Sequence, residues 1–177
     1  MGEFLQKLCP NEFIDSVPAI DIESLRSKGI TALLIDLDNT LVPWQGYDIP
    51  DEIINWVRDV SADGMKVCLV SNTRTSGRLD RISSILNVKF AVKAMKPRRA
   101  GFLEALKLLD VGTDGAAVIG DQIFTDVLGG NRLGIYTILV RPMHRREFFG
   151  TKISRFFEFF LMRSFRKRGW LKKNHIK

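Results

Sequence analysis

The sequence predicts a three-layer α/β fold, in which helices cover both faces of a central, mostly parallel sheet of five strands. Short apolar runs of four or five residues alternate with segments of helical periodicity. Runs of this kind are typical of parallel strands that are buried on both faces. With 177 residues and 45% hydrophobic content, the chain can bury the core of one compact domain. We expect this core to span residues 31–145, between a lead-in of residues 1–30 and a C-terminal segment of residues 146–177.

The lead-in is predicted to pack on the core as an irregular segment. Pro10 and Pro18 interrupt its scattered apolar positions. Residues 22–28 predict a short helix, which Gly29 ends directly before the first strand. The N-terminus has no long apolar segment and no small-residue cleavage site, which argues against secretion.

The first predicted strand, residues 32–35, ends in two carboxylates. Asp36 and Asp38 are two positions apart, so in an extended strand both would project to the same side. Two anions held this close repel each other, and their burial is costly unless a cation or a shared proton offsets it. Hard oxygen ligands of this kind favour Mg²⁺, with the phosphate of a substrate supplying further oxygens. This strand end therefore predicts a magnesium site.

The second predicted strand, residues 66–70, follows a helix predicted over residues 51–61 and ends in Ser71, Asn72 and Thr73. Open parallel sheets bind ligands at the carboxyl ends of their strands, where these hydroxyl and amide groups would lie. The alternative is an N-cap for the next helix, for which the same residue types are preferred. Both interpretations hold if a bound phosphate lies at the start of that helix.

A lysine precedes the fourth predicted helix. After a helix over residues 77–86 and a short strand at 90–92, Lys96 and Pro97 lead into a helix over 98–109. A helix N-terminus favours anions, so a lysine fits there best if a bound anion contacts both the lysine and the helix N-terminus. Lys93 is the second candidate for this role, and a solvated surface lysine is the alternative.

The fourth predicted strand, residues 116–119, leads into a second acidic cluster. Gly120 lets the backbone turn, and Asp121 emerges at the same sheet edge as the first acidic pair. Asp126 follows in or before a short helix, where a role as helix cap is the alternative. A fifth strand over residues 136–140 completes the sheet.

The charge distribution separates the C-terminal segment from the rest of the chain. Residues 1–140 hold 15 Lys and Arg against 18 Asp and Glu, a net charge of −3, whereas residues 141–177 hold 12 against 2, a net charge of +10. Aromatic and basic side chains occupy opposite sides of a helix predicted in this segment, although Phe159 and Met162 interrupt the separation. The apolar side comprises Phe148, Phe149, Ile153, Phe156, Phe157, Phe160, Leu161 and Phe165, and the basic side comprises Lys152, Arg155, Arg163 and Arg166.

A basic amphipathic helix with several Phe residues is typical of an interfacial membrane anchor. Each basic residue near an anionic leaflet contributes about 1 kcal/mol of binding free energy. The segment is too short and too charged to span a bilayer, and Trp170, Lys172 and Lys173 also favour the interface. Two alternatives are a helix that docks its Phe side on the core and a nucleic-acid patch.

These motifs resemble those of the haloacid dehalogenase (HAD) superfamily of phosphohydrolases over about residues 31–140. They are Asp36-x-Asp38-x-Thr40 followed by Leu-Val, then Ser71-Asn72-Thr73, Lys96-Pro97, and Gly-Asp-Gln-Ile-Phe-Thr-Asp from Gly120. With the lead-in, they are similar to the YqeG-type branch of the subclass III (IIIA) phosphatases. That branch is similar to the mitochondrial phosphatidylglycerophosphatase. The resemblance implies a Rossmann-like fold.

The resemblance also implies a role for each motif residue. Asp36 would be the nucleophile that forms an aspartyl-phosphate, and Asp38 the general acid and base. Ser71 would donate a hydrogen bond to phosphate, Lys96 would balance charge, and Thr40 and Asn72 would orient these groups. Mg²⁺ would be held by Asp36, Asp38 through its backbone carbonyl, Asp121, and Asp126 as an additional or indirect ligand.

The substrate class is inferred from the short connections between the motifs. Between Asp38 and Ser71, and between Ser71 and Lys96, the chain has room for one helix and one strand each, so no cap domain fits. An uncovered site suits a phosphate on a bulky carrier. Together with this missing cap and the basic C-terminal segment, the resemblance implies a Mg²⁺-dependent phosphomonoesterase that acts on phosphatidylglycerophosphate at an anionic membrane surface, with no specific nucleic-acid partner expected. The alternatives are a phosphatase for a phosphoprotein or a soluble phosphate ester, and a non-catalytic HAD-like module that binds RNA or protein.

The remaining reactive residue types indicate a reducing cytoplasm, and the basic C-terminal segment predicts recruitment to the inner face of the membrane. Cys9 and Cys68 are far apart, and Cys68 lies in an apolar run, so small buried hydrophobes are expected instead of a disulfide. His144 and His175 have no partner at metal-ligand spacing and are expected to be non-catalytic.

Overall fold

The computed structural model describes residues 2–73, 76–91, 94–144 and 149–171. In this part of the chain, six strands form one sheet in which every pair is parallel. In chain order the strands are β1 (Glu12–Ile14), β2 (Ala32–Ile35), β3 (Lys66–Val70), β4 (Lys89–Ala91), β5 (Ala116–Gly120) and β6 (Tyr136–Val140). Their spatial order is β1-β6-β5-β2-β3-β4. The predicted α/β class is confirmed, with one strand more than expected.

Helices cover the sheet. In the described residues they are α1 (Gly2–Lys7), α2 (Ile22–Ser27), α3 (Asp51–Ala62), α4 (Ser76–Leu86), α5 (Arg99–Leu109), α6 (Leu128–Asn131) and α7 (Phe149–Lys167). A 3₁₀ turn spans Val17–Ala19, and a π-helical segment, Ile123–Val127, leads into α6. The helix between β2 and β3 is α3, and the helix between β3 and β4 is α4, so the described residues contain no cap domain.

The lead-in contains a strand, so the prediction of an irregular segment was wrong for β1. Phe13 pairs with Leu139 of β6, and the Asn11 side chain accepts a hydrogen bond from the Thr137 amide at 2.8 Å. Three residues are too few to display a period of two, and the pairing partner is more than a hundred positions away. The domain boundaries at residues 30 and 146 stay predictions.

The two faces of β2 pack against different helices. Its four residues are all buried; Leu33 and Ile35 belong to one apolar cluster with Val57 of α3, whereas Leu34 belongs to another with Phe102 of α5. Side chains of a strand alternate between its faces, which is why one short run supplies both layers. Each large apolar side chain buried in this way contributes about 1.5–3 kcal/mol to folding.

A third apolar cluster joins the C-terminal helix to the sheet. Phe165 of α7 is fully buried and packs with Leu8, Ile123 and Leu139. The Phe165 ring also stacks on Trp170, with ring centroids 5.9 Å apart. No helix among the described residues combines the length and the apolar character needed to cross a membrane.

The prediction of a buried position is confirmed for Cys68 but not for Cys9, which is only partly buried. Both are free, and Cys68 is buried within β3. Burial raises the pKa of the Cys68 thiol to about 12 and that of Cys9 to about 11, so both thiols are protonated at neutral pH.

The strand order brings the ends of the motif-bearing strands together. β2 lies between β5 and β3, and the Asp36 amide continues the ladder by donating to the Ile119 carbonyl at 2.8 Å. In a parallel sheet the carboxyl ends of neighbouring strands meet at one edge. The residues that follow β2, β3 and β5 therefore form one site.

Candidate active site

The centre of this site is a lysine between two buried carboxylates. Lys96 Nζ donates to Asp36 Oδ1, and it lies 2.6 Å from Asp126 Oδ1. Burial alone would lower the pKa of Lys96, but Asp126 and Asp36 raise it above its ordinary value. Burial raises the pKa of Asp36 to about 7; Lys96 opposes this shift, while Asp126 and Asp38 add to it. Lys96 is therefore a permanent cation that holds two acids in place.

The loop that carries Lys96 is fixed by Asn72. The Lys96 amide donates to Asn72 Oδ1 at 2.6 Å, and Asn72 Nδ2 donates to the Lys96 carbonyl at 3.1 Å. Lys93, the second candidate for the phosphate lysine, lies outside the described residues. Ser71 is buried, and its Oγ accepts from the Thr73 amide at 3.1 Å. Because α4 begins at Ser76, neither Ser71 nor Thr73 directly precedes that helix as a cap would.

Asp121 joins the same cluster from the end of β5. Ligand oxygens of Asp36, Asp121 and Asp126 all lie within 4.8 Å of one another. Thr40 Oγ1 lies 3.5 Å from both Asp36 Oδ2 and Asp121 Oδ1, so it bridges the two acids. Burial raises the pKa of Asp121 well above its ordinary value, although Arg155 acts in the opposite direction.

The donor set fits a hard divalent cation. Three buried carboxylates share two cationic partners among the described residues, Lys96 and Arg155, so the fully ionised cluster would have an excess of negative charge. Buried charge without compensation is costly, and oxygen-only donors are those that Mg²⁺ prefers. Both Asp126 oxygens already accept hydrogen bonds, Oδ1 from Lys96 and Oδ2 from the Gln122 amide at 3.2 Å. This arrangement favours an indirect role for Asp126 in metal binding.

Gly120 is required by the close approach of Asp126. A Cβ at position 120 would lie 2.2 Å from Asp126 Cγ, far below a van der Waals contact. The sequence indicates a tight turn at this glycine; the structure adds that its missing side chain makes room for the acid. Asp126 lies inside the π-helical segment, so it is not a cap at the start of a helix.

Asp38 lies in a different environment from Asp36. The strand ends at Ile35, and the two carboxylates have separate partners. Asp38 Oδ1 accepts from the Gln45 amide at 3.0 Å and lies 2.8 Å from Arg78 Nη1, while its side chain is 23% exposed. The Asp38 carboxylate is outside the three-acid cluster, so a contribution of Asp38 to metal binding through its carbonyl stays a prediction.

Arg78 is a site residue that the sequence analysis missed. It is 5% exposed, and besides Asp38 its Nε donates to the Gly46 carbonyl at 2.8 Å. One signal was present: Arg78 precedes the buried Ile82 by four positions in α4, which places both on the inward side of that helix. Arginine in an amphipathic helix is ordinarily solvated, so this spacing alone does not predict a buried site residue.

Helix α7 also reaches the site, which the sequence analysis did not predict. Arg155 donates to the Asp121 carboxylate and to the Asp121 backbone carbonyl. Glu158 is buried beside it, 3.0 Å from Arg155 Nη1, and accepts from the Ile123 amide at 2.8 Å. The assignment of Arg155 to a solvated basic side was therefore wrong. Asp121 and the amide at the start of the π-helical segment both need partners, and α7 supplies them.

The predicted amphipathic helix is confirmed as a helix, but its buried side differs from the predicted one. It buries Phe165 and Glu158, while five apolar side chains on the outside are each more than half exposed. This exposed set, which we call the aromatic side of α7, comprises Ile153, Phe156, Phe157, Phe159 and Phe160. Docking on the core thus holds for Phe165 and, in part, for Leu161 and Met162, which are partly buried against the same apolar cluster. Phe148, Lys172, Lys173 and His175 lie outside the described residues, and His144 is exposed.

The arrangement separates two kinds of carboxylate. Asp36 is buried, paired with a lysine and surrounded by further acids, whereas Asp38 is partly exposed and paired with an arginine. A buried carboxylate of this kind can attack an electrophile, and a partly exposed one can exchange protons with a leaving group. Together with a divalent cation, such a site can transfer a phosphoryl group.

Comparisons with known proteins agree with this chemistry. The profile of the HAD-hydrolase-like family matches residues 94–142. The chain is 35% identical over 160 residues to the Bacillus subtilis (strain 168) protein named "Probable phosphatase YqeG", covering 90% of this chain and 92% of that protein. It is 27% identical over 150 residues to "Phosphatidylglycerophosphate phosphatase 1, chloroplastic/mitochondrial" of Arabidopsis thaliana, covering 80% of this chain and 43% of the plant protein.

Solved structures share the fold at low sequence identity. An uncharacterized protein from Listeria monocytogenes serotype 4b superposes with a TM-score of 0.53 at 20% identity, covering 67% of this chain and 85% of the other. One from Corynebacterium glutamicum superposes with a TM-score of 0.53 at 15% identity, covering 75% and 94%. With the acidic sheet edge and the YqeG similarity over nearly its whole length, the chain belongs to the HAD family of phosphatases, in the branch that includes YqeG.

Proposed function

We propose that this phosphatase removes the terminal phosphate of phosphatidylglycerophosphate, with Mg²⁺ at the sheet edge and Asp36 as the nucleophile. The observation that carries the proposal is the buried group of Asp36, Lys96, Asp121 and Asp126 beside the more exposed Asp38. This group supplies an anionic nucleophile, a fixed cation and oxygen donors for a metal. The neighbouring Asp38 supplies a group that can exchange protons with a leaving alcohol.

The reaction divides into two displacements at phosphorus. An Asp36 oxygen forms a bond to phosphorus while the bond from phosphorus to the glycerol oxygen of the lipid breaks, and Asp38, as the acid, donates its proton to that oxygen. In the second step Asp38 takes a proton from a water whose oxygen bonds to phosphorus. The bond between phosphorus and Asp36 then breaks, which releases inorganic phosphate and restores the carboxylate.

The remaining residues balance charge on the transferred group. Lys96 would contact a phosphoryl oxygen as well as Asp36, and Ser71 would donate a hydrogen bond. Mg²⁺, held by Asp36, Asp121 and the carbonyl of Asp38, would neutralise phosphoryl oxygens. Asn72 and Thr40 keep Lys96 and the acids at their present distances.

Three observations support a lipid as the carrier of the phosphate. The described residues contain no cap domain over the site. The plant relative named as a phosphatidylglycerophosphate phosphatase is 27% identical. The aromatic side of α7 is exposed beside basic residues, as in helices that lie in a membrane interface. The protein would then work at the cytoplasmic face of an anionic membrane.

The test is phosphate release from phosphatidylglycerophosphate in mixed micelles with Mg²⁺, for the wild type and for Asp36→Asn. We expect release by the wild type, loss in the variant, and loss in the wild type when EDTA removes the metal. Matching thermal unfolding curves would verify that the variant is folded. Hydrolysis of an aryl phosphate that depends on Asp36, without any release from the lipid, would refute the lipid substrate and favour a phosphoprotein or a soluble phosphate ester.

A further inference from the structure

A cleft of about 640 Å³ lies between α7 and the carboxyl end of β6, beside the proposed catalytic group. Its floor is apolar and is formed by Ile123, Leu139, Val140 and Met162. Among its described lining residues, only Asp121 has a role in the proposed reaction, as a metal ligand. We propose that it binds one anionic phospholipid molecule, with the acyl region on the apolar floor and the phosphate-bearing head toward Asp121. This inference rests on the proposed function and deepens it.

The rim of the cleft carries the charge that an anionic lipid requires. Among the described lining residues five are basic and two are acidic, and both acids, Asp121 and Glu158, are bound by Arg155. The outer rim is formed by Arg141, Arg163, Arg166 and Lys167, of which Arg141 pairs with Asp15 at 2.5 Å. Cationic donors bind phosphate oxygens through charge-assisted hydrogen bonds.

An aromatic ring orders two of these cations. The Phe13 ring lines the cleft, and the guanidinium carbons of Arg141 and Arg166 lie 5.8 Å and 5.9 Å from its centroid. Cation–π contacts of this kind stabilise a charged side chain without consuming its hydrogen-bond donors. Both guanidinium groups are therefore held at the rim; Arg141 is already paired with Asp15, whereas Arg166 keeps its donors for a phosphodiester.

The cleft adjoins the catalytic acids directly. Asp121 lines it, and Asp121 Oδ1 lies 3.5 Å from the Thr40 hydroxyl, which lies the same distance from Asp36 Oδ2. A lipid with its head at the inner end of the cleft would place a phosphomonoester near the nucleophile. Helix α7 thus lines the cleft and also supplies Arg155, the partner of the proposed metal ligand Asp121.

The aromatic side of α7 continues into the cleft through Phe159. This residue is 64% exposed and also lines the cleft. A helix whose outer side lies among lipid head groups would bring the cleft opening to the same surface. An apolar floor, a cationic rim and an aromatic approach together fit a lipid better than a soluble phosphate, which has no apolar part.

The binding test uses a lipid that does not form a bilayer. Dihexanoylphosphatidylglycerol, kept below its micelle concentration, is titrated into the full chain without metal by calorimetry, so neither turnover nor adsorption to a surface contributes. We expect saturable binding with one site. Arg166→Gln should weaken it about tenfold, the loss of one charge-assisted hydrogen bond. Arg168→Gln is the matched control, since Arg168 is also exposed but lies outside the cleft lining, and this variant should bind like the wild type.

A second pair of variants tests the apolar floor. Met162→Trp fills part of the cleft and should weaken binding at least tenfold, whereas Phe156→Trp on the outside should leave it unchanged. Absence of saturable binding, or equal affinities for Arg166→Gln and the wild type, would refute the cleft proposal. Release of phosphate from the lipid with wild-type rates in Arg166→Gln and Met162→Trp would refute the cleft but leave the proposed function intact. If the protein binds the lipid in the cleft but hydrolyses only soluble esters, the cleft proposal stands and the proposed lipid substrate is refuted.

Discussion

Arg78 ties the predicted general acid to the core of the protein. Its Nη1 lies 3.0 Å from Asp38 Oδ2 and 2.8 Å from Oδ1, and its Nε donates to the Gly46 carbonyl. Nη2 is buried without a hydrogen-bond partner among the described residues. A buried donor in this state is costly, so the arginine is held there by its bonds to Asp38 and Gly46. We infer that Arg78 fixes the direction in which Asp38 delivers its proton.

Replacing Arg78 by Gln should therefore matter most when the leaving group needs a proton. We expect kcat/KM to fall about tenfold or more for an alkyl phosphate, since general acid catalysis contributes roughly 10²–10⁴-fold. For p-nitrophenyl phosphate, whose leaving group departs without protonation, the loss should be much smaller. The measurement is the ratio of the two kcat/KM values in variant and wild type.

Arg81→Gln is the control for that measurement. Like Arg78, Arg81 lies over the Tyr47 ring, with guanidinium carbons 5.9 Å and 5.7 Å from the ring centroid, but Arg81 is exposed and makes no bond to Asp38 among the described residues. The Arg81→Gln variant should hydrolyse both substrates with the kcat/KM values of the wild type. Equal losses on the alkyl and aryl phosphates in Arg78→Gln would mean that Arg78 supports the fold and not the proton transfer.

Gly120→Ala tests the close approach of Asp126 to the end of β5. The new methyl group would overlap Asp126 Cγ, so the acid must move away from Lys96. We expect most of the phosphatase activity to be lost and the free energy of unfolding to fall by about 1–3 kcal/mol, as in an overpacked core. Activity on an aryl phosphate and urea denaturation measure the two effects.

Gly77→Ala provides the matched control. A Cβ at position 77 meets no atom within 4 Å, and the residue lies in α4. Alanine there should stabilise the helix by up to about 1 kcal/mol, because glycine is the poorer helix former. An active and stable Gly120→Ala variant would contradict the packing argument at Asp126.

At the scale of secondary-structure elements, α7 contributes both to the candidate active site and to the exposed apolar surface of the protein. Arg155, Glu158 and Phe165 lie on the side of α7 that faces the protein, and the aromatic side of α7 is exposed. A helix with apolar residues on most of its circumference has two ways to bury them. The hydrogen-bonding needs of Asp121 and Ile123 decide which side faces inward.

Single truncations of Phe on the two sides of α7 should have opposite consequences for stability. Phe165→Ala should lower the free energy of unfolding by about 3–5 kcal/mol, the usual cost of removing a buried aromatic ring. Phe157→Ala, on an exposed ring, should change it by less than about 0.5 kcal/mol. Urea denaturation of both variants measures the difference, and similar losses would contradict the docking of α7 through Phe165.

The sequence predicts those elements whose pattern is local. The runs at β2 and β5 are apolar throughout, and those at β3 and β6 are apolar apart from Lys66 and Thr137; a strand buried on both faces needs no information from distant residues. The acids that follow β2 and β5 are predictable for the same reason, because parallel topology alone brings strand ends together, and Lys96 follows the short strand β4 in the same way.

Local sequence patterns do not predict the arginine partners of these acids. Arg78 and Arg155 belong to helices that reach the site only through tertiary packing, and arginine in a helix ordinarily indicates a solvated side. The strand β1 has three residues and a partner at the other end of the chain. In each case the deciding interaction is long-range, and the local sequence is compatible with solvent.

At the scale of the whole molecule, charge and apolar surface are concentrated at the same end of the chain. Residues 141–177 carry a net charge of +10 and residues 1–140 one of −3. Five large apolar side chains of α7 are exposed beside that charge. Isolated exposed apolar residues need no explanation, but a contiguous set on one helix indicates an interaction surface. The proposed partner of this surface is an anionic membrane.

Vesicle sedimentation tests this partner. We expect the protein to sediment with vesicles that contain 30% phosphatidylglycerol but not with neutral phosphatidylcholine vesicles, and sedimentation should decrease as salt screens the charges. Changing Phe156, Phe157 and Phe160 together to Ser should abolish sedimentation, because the buried apolar area of an interfacial helix sets its affinity. The triple variant should keep its thermal stability and its activity on an aryl phosphate, since these rings are exposed. Undiminished sedimentation of the triple variant would leave charge alone as the cause of binding and would contradict insertion of the aromatic side of α7 into the membrane interface.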